Sequence, residues 1–434
     1  MKYTVNIVRH EVKSQKIKYA IDFPIAETIE INRGFFFEFK GWAFSLDLRE
    51  VNFVFSFSAG AKIKPNVNRH DVVRVFNDAP LLCGISHLIS FNGDFKLGLD
   101  LGGNIEWVAS FNFIPVKVIE GREGYLFLDK DSNHSTDQYS GKKLIDRQNI
   151  NAWSNYFSEV EKKIIAKNKK FAFVIAPGKE YIFPDFYPVQ RGMPTPVDQF
   201  ISLFSERTKI IAPWSVLMEQ RNFSYSKTDT HWTGYGAGLV AEVVCKELGV
   251  NYVDPKFKYV LSKRTGDLGA KFIPHRTEFC LSADYSQALK YLTFDNGVPV
   301  RGNILVLSNP NTASDRACVI FGDSFSRAFA LHLSFTFKRV VLIFSGADID
   351  WGIVDNEDPE VVIAELTTRF LICAPKAGFS ISQEIKRKYK AMSSGEKNKF
   401  KEKLNKFKSI ENDYYQRVSS DLTDDLSSCL GEIC

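Results

Sequence analysis

ACVIFGDSFSRAF, residues 317–329, decides how the rest of the chain is read. A short apolar run, CVIF, delivers Gly322, Asp323 and Ser324 into the start of a helix-compatible segment. Gly322 permits a tight turn, and Ser324 falls near a helix N-terminus, where unpaired backbone N–H groups can face a developing negative charge. Taken alone, GDS is also satisfied by a plain helix cap at Asp323 or Ser324. Around it, strands and helices alternate. Residues 149–170 have helical periodicity, and 170–177 (KFAFVIAP) reads as a buried strand. Residues 197–208 and 234–250 are helical again, and 339–345 and 359–366 are further strands. This alternation predicts an α/β fold with a parallel sheet covered by helices on both faces, and ligands in such folds gather at the carboxyl ends of the strands.

Upstream the pattern is different. FFFEFKGWAFSL, VNFVFSFSA, LLCGISHLISFN and WVASFNFIPVKV are rich in aromatic and β-branched residues, with Gly and Asn at the turns. They predict an all-β sandwich over residues 1–118. Many of the 37 phenylalanines alternate here, which suits sheet cores. Trp42 and Trp107 are placed to stack on sugars or to pack in that core. Downstream, from about residue 378, EIKRKYKAMSSGEKNKFKEKLNKFKSI is basic and helix-compatible. It predicts a helical extension over 378–434, either solvated or meeting an anionic lipid or acidic partner.

Composition excludes several classes. Net charge is +5 over 434 residues, and with no recognised motif nothing calls for nucleic acid. The seven cysteines are scattered without a CxxC pair, so neither a zinc site nor a disulfide framework is expected. The charged N-terminus MKYTVNIVRHEVKSQKIKYA is not a signal peptide, and no run is long and apolar enough to span a bilayer. The expected location is the cytoplasm, in reach of the inner membrane.

A second segment supplies what a serine nucleophile needs. DTHWTGYGAG places Asp229 and His231 two residues apart, on the same side of an extended stretch just before a helix. A carboxylate there fixes the imidazole tautomer, and the imidazole can take the serine proton. A helix cap beside a surface histidine accounts for the segment equally well. With Ser324, the two stretches are the parts of a nucleophilic triad.

DTHWTGYGA followed by FGDSFS resembles the alginate O-acetyltransferase family of the SGNH hydrolase superfamily, in which an Asp-x-His motif precedes the GDS serine. GREGYLFL, IAPGKEYIFPDFYP, RTGDLGAKF (264–272) and VIAELTTRFL (362–371) fit the same family in order, so the likeness covers about residues 119–375. It implies an SGNH-like catalytic domain over 119–377, with Ser324 as nucleophile, His231 as general base and acid, and Asp229 as the orienting carboxylate. The backbone of Ser324, Arg327 and Arg369 are the oxyanion or substrate candidates. The implied activity is O-acetyl transfer, or acetyl-ester hydrolysis, on a bacterial surface polysaccharide or its precursor. No tightly bound cofactor and no metal are expected. Acetyl-CoA or a membrane-associated acyl-transfer partner would supply the acetyl group, and a glycan-assembly partner is a further expectation. The competing reading is a non-catalytic glycan-binding or assembly protein on a degenerate SGNH domain.

Overall fold

The computed structural model describes residues 2–31, 36–47, 49–58, 60–90, 93–312, 314–376, 378–407 and 413–420. Two compact units emerge. The first comprises Met1–Val118 together with Asp267–Arg276, and the second comprises Ile119–Gly266 together with Thr277–Cys434.

The first unit is built from two antiparallel sheets. One runs in the order Thr28–Glu30, Lys2–Arg9, Asn104–Pro115, Phe95–Leu101, Val51–Phe55, Lys62–Ile63; the other runs Ile17–Phe23, Phe36–Ser45, Leu82–Ser90, Val67–Asn68. Period-two alternation explains the core. Phe37, Phe39 and Ala43 of one strand are buried while Phe36, Glu38 and Lys40 face outward. Phe39, Phe55, Phe95 and Phe111 meet in one cluster, and Phe95 stacks on Phe111 at 4.6 Å. Trp42 packs between Phe44 and Phe76, whereas Trp107 is 39% exposed. The return segment 267–276 is tied in by backbone. Thr28 N–H donates to Ile273 O at 2.8 Å, Ile273 N–H donates to Thr28 Oγ1 at 2.8 Å, and Thr4 Oγ1 donates to Lys271 O at 2.6 Å. These residues lie outside the 1–118 span that the sequence pattern predicts for this unit.

The second unit is an α/β layer structure around a seven-stranded sheet. Its order is Ile210–Ile211, Lys170–Ala176, Val361–Thr367, Ala317–Gly322, Arg339–Phe344, Ile304–Ser308, Leu292–Asp295. The first five strands are mutually parallel; Ile304–Ser308 pairs antiparallel with Arg339–Phe344, and Leu292–Asp295 pairs antiparallel with Ile304–Ser308 at the edge. The central strands are buried along their length save for Ala317 at the start of one, as both-face coverage demands. Helix Arg147–Ala166 begins where Asp146 accepts from Asn149 N–H at 2.7 Å, and it buries Trp153, Phe157, Val160 and Ile164 along one stripe.

The C-terminal residues behave differently from a solvated extension. Helices Ile381–Ala391, Ser394–Lys406 and Asp413–Ser420 belong to the second unit. Ile381, Ile385, Tyr389, Phe400, Leu404 and Tyr415 are buried in its core. Burying a side chain of that kind stabilises by roughly 1.5–3 kcal/mol, which outweighs the helices' poor intrinsic stability. The lysines between these positions hid the apolar stripe in the sequence. Residues 421–434, with Cys429 and Cys434, lie outside the described residues. Cys83, Cys245 and Cys318 are buried free thiols, and Cys280 and Cys373 are free and more accessible. Among the described residues, no helix is long and apolar enough to cross a membrane.

Candidate active site

Three adjacent parallel strands end together at one edge of the sheet. Strand Ala317–Gly322 runs into Asp323 and Ser324, strand Val361–Thr367 into Thr368 and Arg369, and strand Lys170–Ala176 into Pro177, Gly178 and Lys179. This carboxyl edge is where the sheet geometry leaves room for a ligand.

The serine turn is held from beneath. Asp323 Oδ1 accepts from Phe325 N–H at 3.0 Å, and its Oδ2 accepts from Thr367 N–H at 2.9 Å and from the Thr367 hydroxyl at 2.5 Å. Asp323 is therefore a structural acceptor, and Ser324 projects from the turn ahead of helix Ser326–Leu333. No hydrogen bond from Ser324 N–H to a protein acceptor is seen among the described residues. Gly322 has no room for a side chain, since a Cβ there would lie 1.9 Å from Ser326 Oγ and 2.8 Å from Glu365 Oε2.

The Asp-x-His segment reaches the serine from a separate loop. His231 Nε2 lies 2.8 Å from Ser324 Oγ, and His231 Nδ1 lies 2.7 Å from Asp229 Oδ1. Because the carboxylate only accepts, the proton belongs on Nδ1, which leaves the Nε2 lone pair facing the serine hydroxyl. The ring also packs against Phe325 at 4.9 Å, and Trp232 Nε1–H donates to Phe325 O at 3.0 Å, so the two motifs are pinned together beside Ser324. Helix Gly234–Glu247 starts immediately after, with Thr233 Oγ1 accepting from Gly236 N–H at 3.1 Å.

The loop's position has causes that sequence reading missed. Lys179 is almost fully buried, and its ammonium donates to Ser226 O at 3.0 Å, Lys227 O at 2.9 Å and Asp229 O at 2.7 Å. Glu278 Oε1 accepts from Thr228 N–H at 2.8 Å and from its hydroxyl at 2.9 Å. Gly266, at φ +65°, approaches so closely that a Cβ would sit 2.2 Å from Thr228 O. The signal for Lys179 was present: a lysine directly after an apolar strand and a Pro-Gly turn has either to reach solvent or to find carbonyls.

A cleft of about 830 Å³ opens beside Ser324. Arg369 lines it, together with Arg301, Phe370, Phe379 and Arg387, so the C-terminal helix Ile381–Ala391 supplies part of its wall. Arg301 bridges Ser345 O and Asp348, and its guanidinium stacks on Phe379 at 5.0 Å. Arg369 stacks on Phe370 at 4.8 Å. Arg327 is different: it is exposed on its helix and is not part of this cleft's lining. A second recess of about 620 Å³ lies on the Asp229 and His231 side, walled by Lys263, Arg264, Ser282 and Tyr285.

With this fold and site in place, the chain's relationships are informative. The family model described as "SGNH hydrolase-like domain, acetyltransferase AlgX" matches residues 118–347, just over half of the chain. The chain belongs to that family, which bears out the likeness read from its motifs. Among solved structures, it is similar to Bacillus cereus PatB1 at 13% identity, covering 58% of this chain and 96% of that one, with a TM-score of 0.40. It is also similar to the O-acetyltransferase domain of Pseudomonas putida AlgJ at 14% identity, covering 62% and 98%, with a TM-score of 0.40. Pseudomonas aeruginosa AlgX is similar at 14% identity, covering 60% and 67%, with a TM-score of 0.37. No curated protein sequence matches the chain significantly.

Proposed function

We propose that the protein is a serine O-acetyltransferase that moves an acetyl group onto a hydroxyl of a bacterial polysaccharide or its oligosaccharide precursor. The observation that carries this reading is the chain of contacts Asp229 Oδ1, His231 Nδ1, His231 Nε2, Ser324 Oγ, at 2.7 and 2.8 Å. His231 Nε2 removes the Ser324 proton as Oγ attacks the acetyl carbonyl. The tetrahedral oxyanion is met by the Ser324 backbone N–H, and His231 returns the proton to the departing group. The acetyl-Ser324 ester is then attacked by a sugar hydroxyl, whose proton passes to His231 and back to Ser324 Oγ as the ester leaves. Water in the acceptor's place makes the same machinery an esterase. The acetyl donor is acetyl-CoA or a group delivered by a membrane-associated partner. The cleft beside Ser324, with its arginines and phenylalanines, is assigned to the acceptor saccharide.

The test is acetyl transfer from a small activated ester to an oligosaccharide, followed as a mass increase of the acceptor, with a serine-reactive sulfonyl probe in parallel. Wild-type protein should transfer and label, and folded Ser324→Ala should do neither. Wild-type protein that neither labels nor turns over the ester would favour the non-catalytic glycan-binding alternative.

A further inference from the structure

Directly below the nucleophile sits a carboxyl group that the mechanism above does not use. Glu365 lies in strand Val361–Thr367, VVIAELT, every residue of which is buried. It is fully buried itself, one strand across from the turn it touches. Its Oε2 accepts from Ser326 Oγ at 2.6 Å and from Asp323 N–H at 3.0 Å. These two donors flank Ser324 in the chain, one on each side. Its Oε1 has no hydrogen-bond partner among the described residues.

We propose that Glu365 is a positioning residue for the Ser324 nucleophile, gripping the turn through the Asp323 N–H and the Ser326 hydroxyl. The proposal rests on the reading of Ser324 as nucleophile and adds the group that sets its aim. The geometry explains why an acidic side chain occupies an otherwise apolar strand. A turn that leaves the sheet at Gly322 has lost its ladder partners, and Asp323 N–H needs a buried acceptor. The missing Cβ at Gly322 is the same fact seen from above, because the Glu365 and Ser326 oxygens occupy that space.

Burial, and then the neighbouring charge of Asp323, push the Glu365 carboxyl well above the usual carboxylate range. Three donors converge on the Asp323 carboxyl, the N–H of Phe325 and the N–H and hydroxyl of Thr367. Two carboxyls therefore hold the turn, Asp323 from within it and Glu365 from the neighbouring strand.

The experiment uses the full-length protein, the small ester and the sulfonyl probe. Glu365→Gln keeps an acceptor oxygen without charge, so its kcat and labelling rate should stay within about threefold of wild type. Glu365→Leu removes the grip and should lower kcat and labelling by about 10²-fold at unchanged KM, the scale of a misplacement near 1 Å. Should Glu365→Leu not fold, Ser326→Ala serves in its place, with about a tenfold loss in kcat expected for one lost hydrogen bond to the turn. The infrared carbonyl band of a buried, protonated acid should be present in wild type and absent in Glu365→Gln. A merely structural residue would change stability without lowering kcat at unchanged KM in the folded variant. Folded Glu365→Leu or Ser326→Ala with wild-type kcat would overturn the proposal, as would Glu365→Gln as inactive as Glu365→Leu. An active Ser324→Ala would instead overturn the parent reading, and an inactive one beside an unimpaired Glu365→Leu would overturn this proposal alone.

Discussion

Replacing Lys179 by methionine should damage both stability and catalysis, although the residue touches no reacting atom. Its ammonium faces three backbone carbonyls, of Ser226, Lys227 and Asp229, at 2.7–3.0 Å. Methionine fills a similar volume and offers no donor. Each carbonyl left unpaired in a buried site costs about 1–3 kcal/mol, and the three together give roughly 3–9 kcal/mol. Two effects reduce this figure: burying the ammonium was itself costly, and Asp229 is partly open to water. A loss of about 3 kcal/mol is therefore expected. Releasing the Asp229 carbonyl also frees the loop that aims His231 at Ser324, and a shift near 1 Å would lower kcat by about 10²-fold. Urea unfolding measures the first quantity, and turnover of a small acetyl ester well below the new melting point measures the second. A Lys179→Met variant within about 1 kcal/mol of wild type and within about twofold in kcat would refute the reasoning, because three carbonyls cannot lose one shared donor without consequence.

Three further outcomes are expected. Asp229→Asn should lower kcat on the same ester by about 10²-fold and Asp229→Ala by more, with both variants folded by circular dichroism. Burial pushes the His332 imidazole down to about 4, so the folded state stays neutral where the unfolded chain begins to protonate near pH 6.5. Stability should therefore fall as pH drops from about 6.5 to about 4, by at most roughly 3 kcal/mol, and His332→Leu should flatten that part of a melting-temperature profile. Deleting residues 1–118 should give poorly soluble protein, because Asp267–Arg276 would lose the strand contacts at Thr4 and Thr28; deletion of both segments with a short linker should behave better on gel filtration.

The motifs of the candidate site were legible because their chemistry is local. Asp-x-His sits on one loop and GDS on one turn, and the meeting of the two requires only that a parallel sheet place strand ends side by side. The sheet itself was readable from apolar runs such as CVIF and VVIAEL. The antiparallel edge strands Leu292–Asp295 and Ile304–Ser308 were not, since a short apolar run carries no sign of its direction. Lys179 and Glu365 stand in the family-like stretches IAPGKEYIFPDFYP and VIAELTTRFL, but their roles were hidden for a different reason. Both are ionisable residues whose partners are distant in sequence, three carbonyls for Lys179 and an N–H with a hydroxyl for Glu365, and a pattern of side chains does not reveal where such groups will be left unpaired. The C-terminal helices misled through composition. Their lysines outnumber the residues that matter, and Ile381, Ile385 and Tyr389 show a helical stripe only once the charges around them are set aside.

The Asp-x-His spacing has a consequence for the orienting acid that a more distant aspartate would lack. Asp229 Oδ1 accepts from two donors of the same residue, the His231 backbone N–H at 2.9 Å and the ring Nδ1 at 2.7 Å. When such an acid becomes an amide, the usual danger is rotation: the NH₂ turns toward the ring, the tautomer flips and Nε2 loses its lone pair. Here the backbone N–H opposes that rotation, because turning the NH₂ inward would bring two donors face to face. Asparagine oxygen is thus held where the carboxylate oxygen was, and His231 keeps its proton on Nδ1. What remains lost is the negative charge that steadies the imidazolium while Ser324 attacks. That loss accounts for about 10²-fold in kcat, short of the roughly 10⁴-fold that a flipped tautomer produces in other serine enzymes. Alanine removes the oxygen for both donors and frees the ring as well, so it should be the more severe change. If Asp229→Asn proves as inactive as Ser324→Ala, the backbone N–H does not hold the amide, and the short spacing gives no protection.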